Sequence, residues 1–455
     1  MSETTIAAIS TAQGSGGIAV IRISGESAIE IADRVFVAVS GRKLSSLKGY
    51  TASFGHIYSG GEKLDEAVAT VFRAPHSYTG EDVVELSCHG GVFIAAQVLR
   101  AVLDSGAKPA EAGEFTKRAF LNGKTDLTAA EAVISIIGAK SRTAARAALN
   151  IREGALRRRI DGVKELLLNT AAHLNAWADY PEEDIDEVDP TALLADFEKA
   201  QSELSSLLQS YDRGQAVMEG IDTVIAGRPN VGKSTIMNLL AGREKSIVTP
   251  IAGTTRDIIE ETVVLGDVVL KISDTAGLRR TENEVERIGV DLARKRLKSC
   301  AMVLAVFDAS VPLNQEDEEL LQLASQVPFI AVINKCDLEA AADLSVIEAS
   351  AKHTVKLSAA NGSGLDSLTQ TVAELAGAQN FDPSEPILAN ERQRQSVLTA
   401  YDSLCDASKA ITDGMTLDAV TVSLEDAVSA LLELTGERTS DAVIDKVFHN
   451  FCVGK

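Results

Sequence analysis

Two kinds of apolar pattern share this chain, and they change over at recognisable places. Up to about residue 118, short β-branched runs predominate. Thr5–Ser10, Ile18–Ile23, Ala67–Phe72 and Asp82–Leu86 have strand character, while Glu26–Phe36 and Val92–Leu103 carry apolar residues at helical spacing. Residues 1–119 therefore read as an α+β domain. Gln13-Gly-Ser-Gly-Gly17 lies between two of the strands with no helix after it, which fits a tight strand connection better than a nucleotide loop. From about 120 to 215 the pattern turns helical. Thr128-Ala-Ala-Glu131 has capping-box spacing and opens an alanine-rich run through Leu149. Leu156, Ile160, Val163 and Leu167 then carry an apolar stripe towards Trp177. Pro181–Pro190 sets six acids between two prolines and reads as an exposed loop; after it, a helix is expected over Ala192–Tyr211, ending in the linker Asp212-Arg-Gly-Gln215.

Residues 220–377 alternate strand runs with helices, which predicts a parallel sheet covered on both faces. Beyond them, Asn390–Ile411 and Leu417–Leu434 are again amphipathic. A tail of about 75 residues is small for a core of its own. It is expected to pack on the earlier helices, so that residues 120–215 and 380–455 form one helical domain carrying 220–377 as an insertion. The fold class is thus multidomain α/β: an α+β N-terminal domain, a helical domain and an inserted doubly covered sheet.

Charge and cysteine content narrow the setting. With 44 basic and 65 acidic residues the formal charge is −21, so contact with a phosphate backbone needs a local basic patch. Arg157-Arg-Arg159 is the one dense basic cluster, readable as a solvated helix face or as a phosphate or RNA contact. Cysteines 88, 300, 336, 405 and 452 are scattered without a C-x-x-C pair, which suits a reducing compartment. The start Met1-Ser-Glu-Thr-Thr lacks the basic residues of a signal peptide, and no apolar run approaches membrane-span length. A soluble, cytoplasmic protein is expected.

The strongest chemical signal is Gly227-Arg-Pro-Asn-Val-Gly-Lys-Ser234, a full match to G-x-x-x-x-G-K-[ST]. The β-branched run Asp222–Ala226 precedes it and the helical stretch Thr235–Ala241 follows. In that context successive backbone N–H groups cradle phosphates at a helix start, Lys233 reaches the outer phosphates and Ser234 holds Mg²⁺. Val231, Gly232 and Thr235 complete the loop's contact set. The run Phe329–Ile333 leads into Asn334-Lys-Cys-Asp337, where a carboxylate can accept two hydrogen bonds from guanine but none such from adenine. Asp337 could otherwise be an ordinary helix cap. Lys335 can lie along the base plane, and Ser358-Ala359-Ala360 can give a backbone N–H to the base oxygen. Asp274-Thr275-Ala276-Gly277 supplies a water-mediated Mg²⁺ contact and a γ-phosphate sensor, and Thr249-Pro-Ile-Ala-Gly-Thr-Thr-Arg-Asp257 is a switch-type loop in which Thr255 is the second hydroxyl ligand of Mg²⁺. Leu278 stands where many GTPases have the water-orienting glutamine, so catalysis must come from the acidic stretch Thr281–Glu286, a cation or a partner. Asn230 is either a cation ligand or a loop-stabilising hydrogen bonder.

Two polar residues inside N-terminal strands, Arg22 and Glu85, either pair with each other or face a ligand. Further motifs bear on that choice. Phe451-Cys-Val-Gly-Lys455, Ala252–Asp257, Asp274–Arg279, Tyr78–Leu86, His89-Gly-Gly91 and Gly113–Lys124, with the phosphate loop, resemble the MnmE (TrmE) family of tRNA-modification GTPases from end to end and in the same domain order. The resemblance implies a homodimer whose N-terminal domain binds a 5,10-methylene- or 5-formyl-tetrahydrofolate through Arg22, Glu85, Lys124 and Lys455. It implies a K⁺-dependent GTPase activated by G-domain pairing, with K⁺ held by Asn230, Thr249, Ile251 and Thr254 and the attacking water oriented by Glu286. The GTP contact set extends over Thr249, Pro250, Ile251, Ala252, Gly253, Thr254 and Thr255. With the flavoprotein MnmG, the family adds an aminomethyl or carboxymethylaminomethyl group at C5 of the wobble uridine of certain tRNAs. Cys452 is either a buried apolar residue or a thiol taking part in one-carbon chemistry. Departures are small: Val453 replaces the usual isoleucine, and Ala360 a frequent basic residue. Two other readings compete, an Era-type regulatory switch that would end in a basic RNA-binding module, and a folate-binding scaffold with a merely regulatory GTPase.

Overall fold

The structure is a computed structural model and describes residues 4–12, 14–179, 189–243, 260–273, 300–379 and 381–455. It divides into two compact units, Met1–Ile134 with Ser429–Lys455, and Ser135–Val428.

The first unit is built on a seven-stranded sheet in the order β3-β4-β5-β6-β2-β1-β7, with β1 Ile6–Ile9, β2 Ile18–Ser24, β3 Phe36–Ala38, β4 Thr51–Ser59, β5 Glu62–Phe72, β6 Val83–His89 and β7 Lys108–Pro109. Strands β1 and β2 pair antiparallel, so the glycine-rich stretch between them is a strand connection, as its sequence suggests. Alternation sends Ile21, Ile23, Val71, Val84 and Leu86 to one face, where helices α1 (Ala28–Val35) and α2 (Val92–Asp104) cover them with Ile29, Ile31, Val98 and Val102. The same alternation turns Arg22 and Glu85 to the other face, directly opposite each other across β2 and β6. Helices α3 (Glu114–Leu121) and α4 (Leu127–Gly138) follow. Leu127 and Ala130 of α4 pack with Ile444, Phe448 and Phe451, which anchors the C-terminal segment in this unit. The capping expectation shifts by two residues: Asp126 Oδ1 accepts from the N–H groups of Thr128 (2.9 Å) and Ala129 (3.1 Å), whereas Thr128 and Glu131 lie buried within the helix.

The alanine-rich run breaks after α4, and the second unit continues with α5 (Arg142–Arg152), α6 (Ala155–Asp179) and α7 (Pro190–Met218). Helix α7 runs through the expected linker Asp212–Gln215. Gly214 is there for close approach, since a Cβ at that position would lie 3.1 Å from Ile387 Cδ1. The helix Glu391–Thr412 lies along α7, joined to it by Gln201 Nε2 donating to Ser408 Oγ (3.1 Å) and Tyr211 O–H donating to Glu391 (3.2 Å). The six-stranded sheet has the order β13-β12-β11-β8-β10-β9, with β8 Ile221–Ala226, β9 Glu260–Leu265, β10 Val268–Ser273, β11 Met302–Asp308, β12 Phe329–Asn334 and β13 Thr354–Lys356. All its pairs are parallel except β9–β10, a hairpin that adds an antiparallel edge to the predicted parallel sheet. Strands β11 and β12 are buried at every position, as parallel strands covered on both sides require. Helix α8 (Lys233–Arg243) starts directly after the phosphate loop.

Candidate functional site: a phosphate loop at the carboxyl edge of a parallel sheet

Strand β8 has neighbours on both sides, β11 and β10, that run parallel to it. Its carboxyl end therefore lies where the strand order reverses, the usual ligand position in open parallel sheets. The chain leaves β8 through Gly227, where a Cβ would come within 2.5 Å of Val306 O on β11, so only glycine lets the loop pass this close. Two left-handed residues then fold the loop back, Asn230 (φ 65°) and Gly232 (φ 98°). Asparagine is one of the few side-chain-bearing residues that adopt this conformation readily. The loop encloses the end of its own lysine: Lys233 Nζ donates to the carbonyls of Gly227 (2.6 Å) and Arg228 (2.8 Å). Ser234 and Thr235 are exposed on the first turn of α8, and the Asn230 amide makes no hydrogen bond among the described residues.

Asn334 ties this loop to two neighbouring turns. Almost fully buried at the end of β12, it donates from Nδ2 to Val231 O (2.8 Å) and accepts at Oδ1 from Ala359 N–H (3.0 Å). Gly232 makes room for that bridge, since a Cβ there would sit 2.3 Å from Asn334 Nδ2. One side chain thus joins Gly227–Ser234, Asn334–Asp337 and Ser358–Ala360. The Ala359 N–H is occupied by this bridge, while the exposed Ala360 N–H has no partner among the described residues. Asp337 is exposed in a turn and is no helix cap; the next helix, Leu344–Ser350, is capped by Asp343. Lys335 adopts a left-handed backbone (φ 63°) and its Nζ lies 2.6 Å from Asp308 Oδ2 at the end of β11. Asp308 went unnoticed in the sequence; its one signal there is an acid closing the apolar run Val303–Phe307. Thr249, Pro250, Ile251, Ala252, Gly253, Thr254, Thr255, Asp274, Thr275, Ala276, Gly277, Leu278 and Glu286 lie outside the described residues.

A second cluster lies in the first unit. Arg22 pairs with Glu85 through Nη2 (2.8 Å) and Nε (2.9 Å), and the two side chains are only 14% and 26% exposed. The guanidinium also lies 5.1 Å from the Tyr78 ring centre and 5.6 Å from that of Phe115, and its Nη1 is 3.5 Å from Gly454 O. The last turn of the chain is built into this corner. Ser10 Oγ donates to Gly454 O (2.9 Å), Val453 bridges to Ala112, and a Cβ on Gly454 (φ 94°) would come within 2.4 Å of Ile9 O. Cys452 is exposed, which removes the reading of a buried apolar residue, and Lys455 follows on the same turn. Lys124 Nζ donates to Pro75 O (3.0 Å). Tyr78, Phe115 and Ser10 are the additions that sequence reasoning missed; Tyr78 opened a quoted motif, but nothing marked its ring as facing Arg22. The basic cluster in α6 is engaged within the helices: Arg157 with Asp161, Arg158 with Glu153 O, and Arg159 with Glu203 and Ser206.

Strand, loop, helix and two base-side turns in this order define a phosphate-loop domain of the G-domain type. Its family follows from comparison over the whole chain. Residues 5–124 match the TrmE N-terminus (GTP-binding protein TrmE) and residues 127–452 the MnmE helical domain. The tRNA modification GTPase MnmE of Symbiobacterium thermophilum is 43% identical, and that of Carboxydothermus hydrogenoformans 41%, each over 100% of both chains. This chain belongs to the MnmE family. Among solved structures, Aquifex aeolicus Era bound to GDP and AlF4− is similar at 27% identity, covering 40% of this chain and 66% of that one, with a TM-score of 0.28. Among the described residues no helix is long and apolar enough to cross a membrane.

Proposed function

We propose that this chain is a GTP-hydrolysing enzyme of tRNA wobble-uridine modification, with its G domain (220–377) inserted in a helical domain made of residues 120–215 and 380–455. The reading is supported most by Asn334, whose two hydrogen bonds join a phosphate loop to the turns that carry Asp337 and Ala360. Triphosphate and base are thereby read by one rigid assembly, and a carboxylate at Asp337 selects guanine because adenine offers it no matching donor pair. Mg²⁺ would be held by the Ser234 hydroxyl with Thr255, and K⁺ by the Asn230 amide with the carbonyls of Thr249, Ile251 and Thr254. These cations supply the positive charge that phosphoryl transfer requires. Glu286 orients water in place of the missing glutamine.

The corner formed by Arg22, Glu85, Tyr78 and the C-terminal turn fits a tetrahydrofolate, which carries a one-carbon unit when bound. Its pterin is planar and rich in donors. Glu85 would accept from it, Arg22 and Lys124 would bind its acidic tail or ring oxygen, and Lys455 would add a charge. The exposed Cys452 lies on the same turn as Lys455. The proposal includes a homodimer, the flavoprotein MnmG as partner, tRNA as the substrate of that complex, and a cytoplasmic location. The test is turnover by the purified full chain in KCl and in NaCl, with GTP and with ATP. GTP is expected to be hydrolysed and ATP not, with K⁺ raising the rate by at least about tenfold, since a cation placed among the phosphates acts as an arginine finger does. Equal hydrolysis of ATP would remove the guanine assignment, and indifference to K⁺ would remove the role given to Asn230.

A further inference from the structure

We infer that Asp308 is a positioning residue for nucleotide affinity: it holds Lys335 in place along the base before the nucleotide arrives. The inference rests on the guanine-nucleotide reading above and adds to it a residue that lies outside every motif of that reading.

Asp308 is the last residue of β11, a strand with no exposed position, and its side chain is 7% exposed. A buried carboxylate is tolerated only when it is paired and fully hydrogen-bonded, and this one is. Oδ1 accepts from Ser310 N–H (2.9 Å) and from Ser310 O–H (2.6 Å); Oδ2 accepts from Lys335 Nζ (2.6 Å). Burial by itself pushes the carboxyl up, but the hydrogen bonds from Lys335 and Ser310 outweigh it and hold the group below the ordinary carboxylate range, so it is charged at neutral pH. The backbone fixes it as well: Ala309 N–H donates to Asn334 O (2.9 Å), and Asp308 lies opposite Asn334 in the β11–β12 register.

These contacts divide the work between the two oxygens. Because Ser310 holds Oδ1, the carboxylate cannot swing out with the lysine, and Oδ2 becomes a fixed anchor. Lys335 meets it from a left-handed backbone, a conformation that a side-chain-bearing residue keeps only where its surroundings require it. The ammonium is pinned and neutralised, and the four-carbon stem is stretched between the turn Asn334–Asp337 and the end of β11. Next to it stands Asp337, exposed and without a hydrogen-bond or ion-pair partner among the described residues. One residue is therefore left open to read the edge of the base, while its neighbour is already ordered to lie against the face. Ordering a lysine side chain in advance removes an entropic cost that binding would otherwise carry.

The alternative is that the pair merely fastens the ends of β11 and β12. The two roles separate in kinetics. The experiment measures release of N-methylanthraniloyl-GDP by stopped flow from the full chain, with Asp308→Asn, Lys335→Met, the double variant and Ser310→Ala alongside the parent. Each of the first two is expected to release the nucleotide about tenfold faster, the effect of one charge-assisted hydrogen bond. The double variant should release it no faster than either single, because both act through one contact. Ser310→Ala should speed release by about threefold, less than the other two single variants, because the Ser310 N–H still holds Oδ1 when the hydroxyl is gone. For Asp308→Asn and Ser310→Ala, turnover at saturating GTP should stay within about twofold, because the contact acts equally on substrate and transition state. Release by Asp308→Asn within about twofold of the parent, or multiplicative effects in the double variant, would overturn the inference. If Asp308→Asn fails to fold by circular dichroism, Ser310→Ala, Lys335→Met and their double variant decide the same question by the same rule. A parent chain that binds no guanine nucleotide would instead overturn the functional reading itself, and the parent trace reports that separately.

Discussion

The two sheets of this molecule present their charged residues in different ways. In the six-stranded, mostly parallel sheet, β11 and β12 are buried along their whole length, and polar chemistry begins only where they end, at Asp308 and Asn334. In the seven-stranded sheet, helices cover one face, and Arg22 and Glu85 sit in mid-strand on the other. A sheet buried on both sides can offer a ligand only its carboxyl edge, whereas a half-covered antiparallel sheet can offer a face. The first design gathers its functional groups in loops that are continuous in sequence. The second brings charged and aromatic side chains together from distant strands, with the last turn of the chain against them.

Perturbing one residue in each region tests this contrast. The largest effect is expected from Lys233→Ala. Its Nζ donates to two loop carbonyls here and would exchange them for phosphate oxygens on binding, so turnover should fall by roughly 10²-fold or more, from the loss of at least two charge-assisted hydrogen bonds, as read in a GTP hydrolysis assay. The thermal midpoint should barely move.

The paired glycines come next. A methyl at Gly232 strikes Asn334 Nδ2, and one at Gly454 strikes Ile9 O; both residues have positive φ. Each alanine variant should lose about 2 kcal/mol of stability by thermal or urea unfolding. Gly232→Ala should abolish nucleotide binding, whereas Gly454→Ala should keep GTP turnover and lose tetrahydrofolate binding. A GTPase defect in Gly454→Ala, with folate binding intact, would break the contrast between the regions.

Glu85→Gln should be milder. It removes the charge facing Arg22 but leaves the Tyr78 and Phe115 rings and the Gly454 carbonyl around the guanidinium. Affinity for 5-formyl-tetrahydrofolate, titrated by calorimetry, is expected to fall about tenfold, the effect of one charge-assisted hydrogen bond.

The smallest effect concerns His89, which is exposed and paired through Nδ1 with Asp65 (2.6 Å). The hydrogen bond and charge of Asp65 raise the pKa of His89. Burial pushes Asp65 up, but its bonds to His89 bring it below the ordinary carboxylate range. The stability the pair adds is therefore full below the ordinary imidazole value and is lost as pH rises through the raised midpoint of His89. On the acid side it is lost as pH falls through the lowered midpoint of Asp65. NMR titration should place the His89 midpoint above the ordinary value and return it there in Asp65→Asn.

The contrast also explains what could be read from sequence. The phosphate loop and Asn334–Asp337 were legible because each is a contiguous segment whose order alone implies strand, turn and helix. The partnership of Asp308 with Lys335 was not, because it depends on β11 and β12 lying side by side in register, which no local pattern encodes. Strand β4 was hidden for a different reason. Its half-open face leaves Thr51–Ser59 largely polar, and Gly55 interrupts it because a Cβ there would come within 2.4 Å of Val37 O. Glycine misled again at Gly214, where helix packing against Ile387 imitates a linker. The cap at Asp126 escaped because Thr128–Glu131 has the spacing of a capping box but lies inside the helix. Arg22 and Glu85 stood out as charges within apolar strands, yet their aromatic neighbours come from separate elements.

The most direct test of a GTPase coupled to tRNA modification is mass spectrometry of nucleosides from total tRNA. Cells lacking this chain would be supplied with the parent or with Lys233→Ala. The parent should restore C5-aminomethyl or carboxymethylaminomethyl groups on wobble uridine, and Lys233→Ala should leave that uridine without them. Equal modification by both chains, or its persistence in cells lacking the chain, would contradict the proposed function.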